Sequence, residues 1–179
     1  MTPATSIPML AATFVALVAA SSDIRTRRIP NWLTGGAFVL GLGLHLVLGV
    51  MLDGTAGLLP AVGAWFFGGM IGLAFLLPLY TIRLNTFGRV FGAGDVKLLG
   101  AIGAIVGPHA IASVALYGAV AGAIQSLAIM LRQRRVAILL HQTFGMPSVP
   151  TLSGARAPYG VAIAAGVVAS IVLPPVLRV

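Results

Sequence analysis

Two aspartates are the residues most able to do chemistry in this chain, which has three acidic residues in 179 and no glutamate. Asp23 follows the first apolar run and precedes a cluster of arginines, whereas Asp95 follows two glycines in the sequence Gly92-Ala93-Gly94. Two carboxylates held close together share one proton, because like charges cannot both ionise easily. The ionised member can then activate a water while the protonated member donates to a scissile carbonyl. This pattern indicates an aspartyl hydrolase if the fold brings Asp23 and Asp95 together.

Each aspartate also has a purely structural interpretation. Asp95 could cap the N-terminus of a helix and pair with Lys97. Asp23 lies at the C-terminal end of a predicted helix, where the helix dipole disfavours an anion unless the following arginines compensate. Asp53, in the sequence Asp-Gly-Thr, is expected to be an ordinary turn residue.

The composition predicts that the aspartates sit in a membrane protein. Hydrophobic residues make up 59% of the chain and charged residues only 8%, whereas a soluble domain has about a quarter charged residues. At about 20 residues per crossing, the apolar material suffices for roughly six helices. We therefore expect residues 1–179 to form a single all-α polytopic transmembrane domain.

Six apolar runs place these helices along the chain, with both termini outside the cell. Pro30 biases the residue before it away from helical geometry, and Asn31 is expected to cap the second helix. The fourth helix is too short to cross a bilayer, so it needs thinned lipid or a site sunk below the membrane surface. Residues 136–144 could form an interfacial helix. The predicted spans are residues 7–22, 32–52, 57–80, 96–106, 109–131 and about 158–174.

The distribution of basic residues predicts the orientation. Short cytoplasmic loops of membrane proteins are enriched in Lys and Arg, and in the six-helix arrangement ten of the eleven basic residues fall on one side. That side also receives Asp23 and Asp95, whereas Asp53 lies alone on the other. We assign the net charge of +8 to topology and anionic lipid and expect no nucleic-acid partner. The ten residues are Arg25, Arg27, Arg28, Arg83, Arg89, Lys97, Arg132, Arg134, Arg135 and Arg156.

Residue types that are missing exclude other membrane chemistries. There is no cysteine, so thiolate metal sites and cysteine nucleophiles are excluded. A membrane zinc protease needs His-Glu-x-x-His, and His45, His109 and His141 are far apart and are expected to be structural. The single lysine, Lys97, lies beside the aspartate motif, which argues against a Ser/Lys peptidase. We expect no metal and no cofactor.

Glycines spaced four residues apart recur within the predicted helices. Such spacings let helices approach closely in lipid, and in a chain with 23 glycines they indicate packing only. The pairs are Gly68/Gly72, Gly103/Gly107 and Gly118/Gly122.

The paired motifs resemble those of the type IV prepilin peptidases, which are membrane aspartyl proteases of the Gly-x-Gly-Asp class. The resemblance rests on two motifs. The first is Asp23 with Arg28-Ile29-Pro30-Asn31, and the second is Gly92-Ala93-Gly94-Asp95-Val96-Lys97, whose Asp95 lies 72 positions after Asp23. It extends to Ala157-Pro158-Tyr159-Gly160 at the last helix, and so covers nearly the whole chain.

The resemblance implies that Asp23 and Asp95 are a catalytic pair that cuts a prepilin leader at the cytoplasmic face of a prokaryotic inner membrane. Larger members of the family add a cysteine-rich zinc domain and methylate the new N-terminus. A chain without cysteine and without room for that domain is similar to the short form associated with tight-adherence (Flp-type) pili. Whether N-methyltransferase activity remains is left open.

The expected substrate has a short basic leader joined to a hydrophobic helix. Ten cytoplasmic cations would repel such a leader, so the apolar helix is expected to supply much of the binding. Arg28 and Lys97 could orient the aspartates or contact an acidic group early in the mature pilin. Gly92 and Gly94 are expected to leave room for an extended peptide or another loop, and could act as hinges. Pro30 and Asn31 are expected to shape the site.

Three alternatives to this function stay open. The first is a related intramembrane protease with other substrates. The second is a small transporter or proton channel, which would distribute carboxylates through the membrane as a path. The third is a catalytically inactive membrane component of pilus assembly. The oligomeric state is not predicted.

Overall fold

The computed structural model describes residues 3–81, 83–84, 88–89, 92–132 and 159–176. Six α-helices lie in these ranges, at the positions of the six apolar runs. The predicted interfacial helix at 136–144 and the residues Arg134, Arg135, His141, Arg156 and Pro158 lie outside the described residues. The helices are α1 (Pro3–Thr26), α2 (Asn31–Asp53), α3 (Leu58–Thr81), α4 (Ala93–Val106), α5 (Pro108–Arg132) and α6 (Tyr159–Val172).

Two shorter elements complete the description. A 3₁₀ turn, Gly54–Gly57, joins α2 to α3, and its first residue has a positive φ of 61° that favours glycine. Between α3 and α4, strand β1 (Arg83–Leu84) pairs antiparallel with strand β2 (Gly88–Arg89). The prediction of an all-α chain omitted this small ribbon, but the fold is otherwise helical.

Four of the described helices lie in segments that are long and apolar enough to cross a membrane. Among the described residues these segments are Ser6–Thr26, Asn31–Thr81 and Pro108–Ile129, of which the second contains both α2 and α3. The protein is therefore a helical membrane protein. The number of crossings and the side on which each terminus lies stay predictions.

Two expected helix boundaries were wrong. The first helix was predicted to end at residue 22, but α1 continues to Thr26, which places Asp23 inside its last turn. Arg27 then takes a φ of 52°, and its N–H donates to the Asp23 carbonyl at 2.9 Å, a geometry that often ends helices. Asn31 is not a cap, because Pro30 occupies the position before α2 and makes no side-chain capping bond.

Helix α4 lies at the centre of the fold. Val96 and the whole segment from Leu98 to Ile105 are buried, and α1, α2, α3, α5 and α6 all contact this helix. Its 14 residues span about 21 Å, less than the roughly 30 Å of a hydrocarbon core. Because neighbouring helices cover α4, its short length does not by itself require thinned lipid.

Glycines allow neighbouring helices to pack closely on α4 and on each other. A Cβ at Gly68 of α3 would overlap the Gly103 carbonyl of α4, and one at Gly72 would overlap the Leu99 carbonyl. A Cβ at Gly166 of α6 would lie 2.6 Å from the Cα of Gly118 on α5. The prediction that the spaced glycines serve helix packing is confirmed at these positions.

Candidate active site

Asp23 is held at the buried junction between α1 and α6. Its side chain is only 7% exposed, although it belongs to the last turn of a helix whose following residues are exposed. The Oδ2 atom of Asp23 accepts a hydrogen bond of 2.9 Å from the backbone N–H of Gly160. Gly160 is the second residue of α6, where backbone N–H groups lack partners within the helix. The burial of the Asp23 carboxylate is thus matched by a donor from a distant part of the chain.

Gly160 lies so close to Asp23 that a side chain would disturb the contact. An ideal Cβ at position 160 would be 3.1 Å from Asp23 Oδ2 and 3.2 Å from Asp23 Cβ, closer than most real contacts of that kind. The absence of a side chain lets the start of α6 approach the carboxylate. The positive end of the α6 dipole also points toward an anion at this place.

Asp95 lies in the first turn of α4 and is partly buried. Its Oδ2 accepts a 2.9 Å hydrogen bond from the N–H of Gly92, the residue just before the helix. The expectation that Asp95 is the N-cap was wrong, because Gly92 holds that position; Asp95 lies at the third position of α4, and its side chain caps the Gly92 N–H from there. This bond occupies one carboxylate oxygen, so capping and catalysis do not exclude each other.

The two backbone donors also determine where a proton can sit. An N–H group only donates, so Oδ2 of each aspartate must accept and cannot carry a proton directed at that donor. A proton on Oδ1 leaves both of these hydrogen bonds intact, since Oδ2 then keeps its full capacity to accept.

Tyr159 lies at the start of α6, next to the residue that binds Asp23. Its ring packs over Gly122 of α5, where an ideal Cβ would lie 2.5 Å from Cε2 and 3.2 Å from the hydroxyl oxygen. The next residue, Gly160, donates to Asp23. The start of α6 thus contacts both α5 and the Asp23 carboxylate.

Gly94 accommodates the loop that follows α1. An ideal Cβ at Gly94 would lie 3.2 Å from Cβ of Ile29, so the neighbour of Gly94 is the loop after α1, one of the two occupants expected there. At Gly92 a Cβ would lie 3.2 Å from Asp95 Oδ2. In this structure both glycines thus serve close packing around Asp95.

Lys97 and Asn31 form a polar contact at the edge of the site. The Lys97 ammonium donates to Asn31 Oδ1 at 3.1 Å, and the contact is exposed. It links the first turn of α2 to the first turn of α4. Arg28 is also exposed, and its carbonyl accepts hydrogen bonds from Ser22 at 2.9 Å and Thr26 at 3.2 Å. Pro30 is partly buried between these elements.

Among the described residues, the other acidic and histidine residues lie away from this end. Asp53 is exposed at the far end of α2, and His45 lies beside Gly107, at the end of α4 opposite to Asp95. His109 is exposed near the start of α5. Within the part of the chain that the structure describes, no group of three His, Cys, Asp or Glu residues could hold a metal ion.

The sequence reasoning did not include Tyr159 and Gly160 among the site residues. They were noted only as part of the last helix motif, Ala-Pro-Tyr-Gly. One signal could have identified them: a tyrosine and a glycine at the start of a helix that faces the same membrane side as the aspartates. A free N–H at such a helix start is a natural partner for a carboxylate.

Comparison with known families identifies the chain. The sequence profile of the type IV leader peptidase family matches residues 10–127, which include Asp23, Asp95 and α2 to α4 entire, but not α6. Comparisons with curated proteins and with solved structures give no match. Since the profile covers more than half of the sequence and contains both aspartates, the chain belongs to the type IV leader peptidase family.

Proposed function

We propose that this protein is an active aspartyl endopeptidase that removes the leader of Flp-type prepilins, with Asp23 and Asp95 as the catalytic pair. One observation carries the proposal. In a chain of the type IV leader peptidase family, the last turn of α1 carries Asp23 and the first turn of α4 carries Asp95, and Ile29 of the loop after α1 packs against Gly94, the residue before Asp95.

The catalytic step follows the chemistry of a shared-proton pair. One ionised carboxylate removes a proton from a water, whose oxygen attacks the carbonyl carbon of the scissile peptide bond. The protonated carboxyl donates its proton to the carbonyl oxygen, giving a neutral tetrahedral gem-diol. On collapse, the carboxyl that took the water proton gives it to the leaving nitrogen, while the other carboxylate takes a proton from a gem-diol hydroxyl, and the C–N bond breaks. The products are a carboxylic acid and an amine, and the pair is back in its starting protonation.

We further propose that the site acts at the cytoplasmic face of an inner membrane, in a six-crossing chain with both termini outside. Support comes from the cations at the aspartate end of the bundle. Arg25, Arg27 and Arg28 follow Asp23, and Lys97 follows Asp95, an enrichment typical of cytoplasmic ends. Asp53, at the other end of α2, has no basic residue within 20 positions of it.

The proposed substrate binds mainly through its apolar helix, alongside the lipid-facing surface of the peptidase. A basic leader gains little binding free energy at an end of the peptidase that is rich in arginine, because like charges repel. The Lys97–Asn31 contact is exposed, so its ammonium group could exchange Asn31 for an acidic group of the mature pilin. Arg28 is a second exposed cation for the same role.

The test is cleavage of a prepilin by purified single-residue variants. We expect Asp23→Asn and Asp95→Asn each to lower kcat by a factor on the order of 10³ or more, since neither amide can act as base or acid in the pair. Asp53→Asn is the matched control, because it makes the same chemical change at an exposed position outside the site. All three variants should accumulate and unfold like the parent protein.

Three results would reject the proposal. Full cleavage by either Asp23→Asn or Asp95→Asn would exclude the pair mechanism. A parent protein that never cleaves prepilin, yet supports pilus assembly when both aspartates are replaced, would be the inactive assembly component. Proton or solute flux that depends on the aspartates, without cleavage, would indicate the transporter.

A further inference from the structure

We propose that the α1–α2 turn, residues 26–30, is a positioning element of the peptidase site: it holds Ile29 against Gly94 and thereby fixes the end of α1 relative to the start of α4. Those two helix ends carry Asp23 and Asp95. The inference rests on the proposed function, because it concerns how the same two carboxylates are held. It assigns positioning roles to turn residues that the proposed mechanism does not use.

The α1–α2 turn leaves α1 through an unusual backbone conformation. Arg27 has a φ of 52°, and its N–H donates to the Asp23 carbonyl at 2.9 Å. Left-handed backbone is uncommon for residues other than glycine, and it directs the chain out of a helix within one residue. The direction in which the turn leaves α1 is therefore set by a bond to the backbone of Asp23 itself.

Two hydroxyl groups hold the next carbonyl of the turn. Ser22 Oγ donates to the Arg28 carbonyl oxygen at 2.9 Å, and Thr26 Oγ1 lies 3.2 Å from the same oxygen. Thr26 Oγ1 also lies 2.9 Å from the Ser22 carbonyl, so its one proton is shared between two acceptors. Ser22 directly precedes Asp23, so these bonds tie the turn to the helical turn that carries the carboxylate.

The far end of the turn is fixed by proline and by packing. Ile29 precedes Pro30, which restricts it to extended backbone, and the Pro30 carbonyl accepts from the Leu33 N–H at 3.1 Å. The Ile29 side chain packs against the hydrophobic core. A Cβ at Gly94 would lie 3.2 Å from Ile29 Cβ and 3.7 Å from its Cγ1. The turn thus meets α4 at the residue before Asp95.

This contact matters because the chemistry of the pair depends on the separation of its carboxylates. When they are close, the first charge opposes the second ionisation, so the pair holds a single proton over a wide pH range. That range narrows from both sides as the carboxylates separate. Asp23 and Asp95 lie on different helices, and the α1–α2 turn provides a direct contact between the two helix ends that carry them.

The first test compares Arg27→Val with Arg27→Gly. Glycine adopts a positive φ readily, whereas a β-branched residue does not. We expect kcat for prepilin cleavage to be about tenfold or more lower in Arg27→Val than in Arg27→Gly, as for a misplaced catalytic group. In Arg27→Val the acidic limb of the kcat profile should move to higher pH and the basic limb to lower pH. Both variants lack the guanidinium, so its charge cannot explain a difference between them.

The second test removes the two hydroxyls together in a Ser22→Ala/Thr26→Val protein. We expect kcat to fall about tenfold, as for loss of two hydrogen bonds, with the same narrowing of the pH profile. Replacing Thr26→Val by Thr26→Ser in this protein returns one hydroxyl and should restore part of kcat. The matched control is Ser21→Ala, whose lost hydroxyl donates to the Leu17 carbonyl within α1 at 2.9 Å. It should keep the parent kcat and profile.

A double-mutant cycle asks whether the hydroxyls act through Ile29. Ile29→Ala removes side-chain atoms that pack beside Gly94 and leaves the hydrogen bonds of the turn in place. If the hydroxyls act by holding Ile29, the Ser22→Ala/Thr26→Val change should lower kcat much less in the Ile29→Ala background than in the parent. Additive losses in this cycle would overturn the path through Ile29.

Two further results would overturn the positioning role. One is the same kcat and pH profile in Arg27→Val and Arg27→Gly. The other is a lower kcat with an unmoved pH profile in the Ser22→Ala/Thr26→Val protein, which is the outcome of general destabilisation. If Arg27→Val does not fold, the hydroxyl variants decide by the same criteria.

Failure of this inference is distinguishable from failure of the proposed function. If Asp23→Asn and Asp95→Asn abolish cleavage while the turn variants keep the parent profile, only the positioning role is rejected. If either aspartate variant cleaves at the parent rate, the pair mechanism is rejected, and the positioning role with it.

Discussion

At the residue scale, each aspartate depends on a glycine that supplies an N–H donor. Gly92 serves Asp95 from three positions away, and Gly160 serves Asp23 from 137 positions away. The first pairing follows from the local motif, because a carboxylate at the third position of a helix can reach back to the residue before the helix. The second depends on how α1 and α6 pack, so no local pattern could predict it.

The residues beside the aspartates show the same difference between features that a local motif predicts and contacts that depend on packing. The sequence identified Asp23, Asp95, Gly92 and Gly94 as a set, and the structure places all four at one end of the bundle. It did not predict that Ile29 would occupy the space beside Gly94. That contact depends on the path of the loop after α1, which the sequence left undetermined.

Gly94 gives a prediction at this scale. A Cβ at this position would lie 3.2 Å from Ile29 Cβ, and a branched side chain would come closer still. We expect Gly94→Val to lower cleavage at least tenfold, because the start of α4 must move away from the loop after α1. The measurement is kcat/KM for prepilin cleavage, together with the unfolding temperature in detergent.

Gly35→Ala provides the control for that variant, because nothing lies within 4 Å of a Cβ at Gly35 in the first turns of α2. It should cleave at the parent rate. Replacing Ile29 with alanine should restore part of the activity of Gly94→Val if the clash is the cause. Unchanged activity in Gly94→Val itself would mean that the glycine is not needed for packing.

At the element scale, helix positions followed from hydrophobicity and helix ends did not. Each apolar run became a helix, since about 20 apolar residues in lipid have few other ways to satisfy their backbone. The ends depended on tertiary contacts. α1 extends past the apolar run through Asp23, whose side chain the Gly160 N–H satisfies, and it ends at Arg27 in a left-handed conformation.

The α3–α4 contact gives a stability prediction. Gly68→Ala would place a Cβ against the carbonyl of Gly103, so the two helices must separate. We expect a loss of roughly 2 kcal/mol or more in the free energy of unfolding, typical of overpacking in a tight interface. The measurement is reversible unfolding in mixed detergent micelles.

Gly63→Ala, on the same helix, is the control for that substitution. Nothing lies within 4 Å of a Cβ there, and alanine favours a helix over glycine by roughly 0.5–1 kcal/mol. It should be neutral or stabilising. If Gly68→Ala behaves like Gly63→Ala, the close approach of α3 to α4 is not present in the folded protein.

At the scale of the whole molecule, the charge asymmetry and the fold agree on which residues share an end. Lys97 of α4 reaches Asn31 of α2, and Ile29, in the loop that follows the helix of Asp23, packs against Gly94 beside Asp95. The distribution of arginines in the sequence predicted that grouping. It could not predict that α4 would be the central helix, because α4 is neither the longest nor the most apolar segment.

The absence of cysteine allows the orientation to be tested directly. A single cysteine introduced by Arg28→Cys should react with a membrane-impermeant maleimide only after the membrane is permeabilised. One introduced by Thr55→Cys, at the turn between α2 and α3, should react in intact spheroplasts. Both positions are exposed, so burial cannot explain a difference between them. The reverse pattern would place the aspartates on the outer face.

The central position of α4 has a consequence for how the bilayer acts on the site. Asp95 is carried by a helix that its neighbours cover, whereas Asp23 is carried by α1, whose Leu10 and Phe14 are 66% and 70% exposed. Hydrophobic mismatch changes the tilt of helices that lipid touches. A change in acyl-chain length would therefore tilt α1 against a stationary α4, and the bond between Asp23 and Gly160 would resist that rotation.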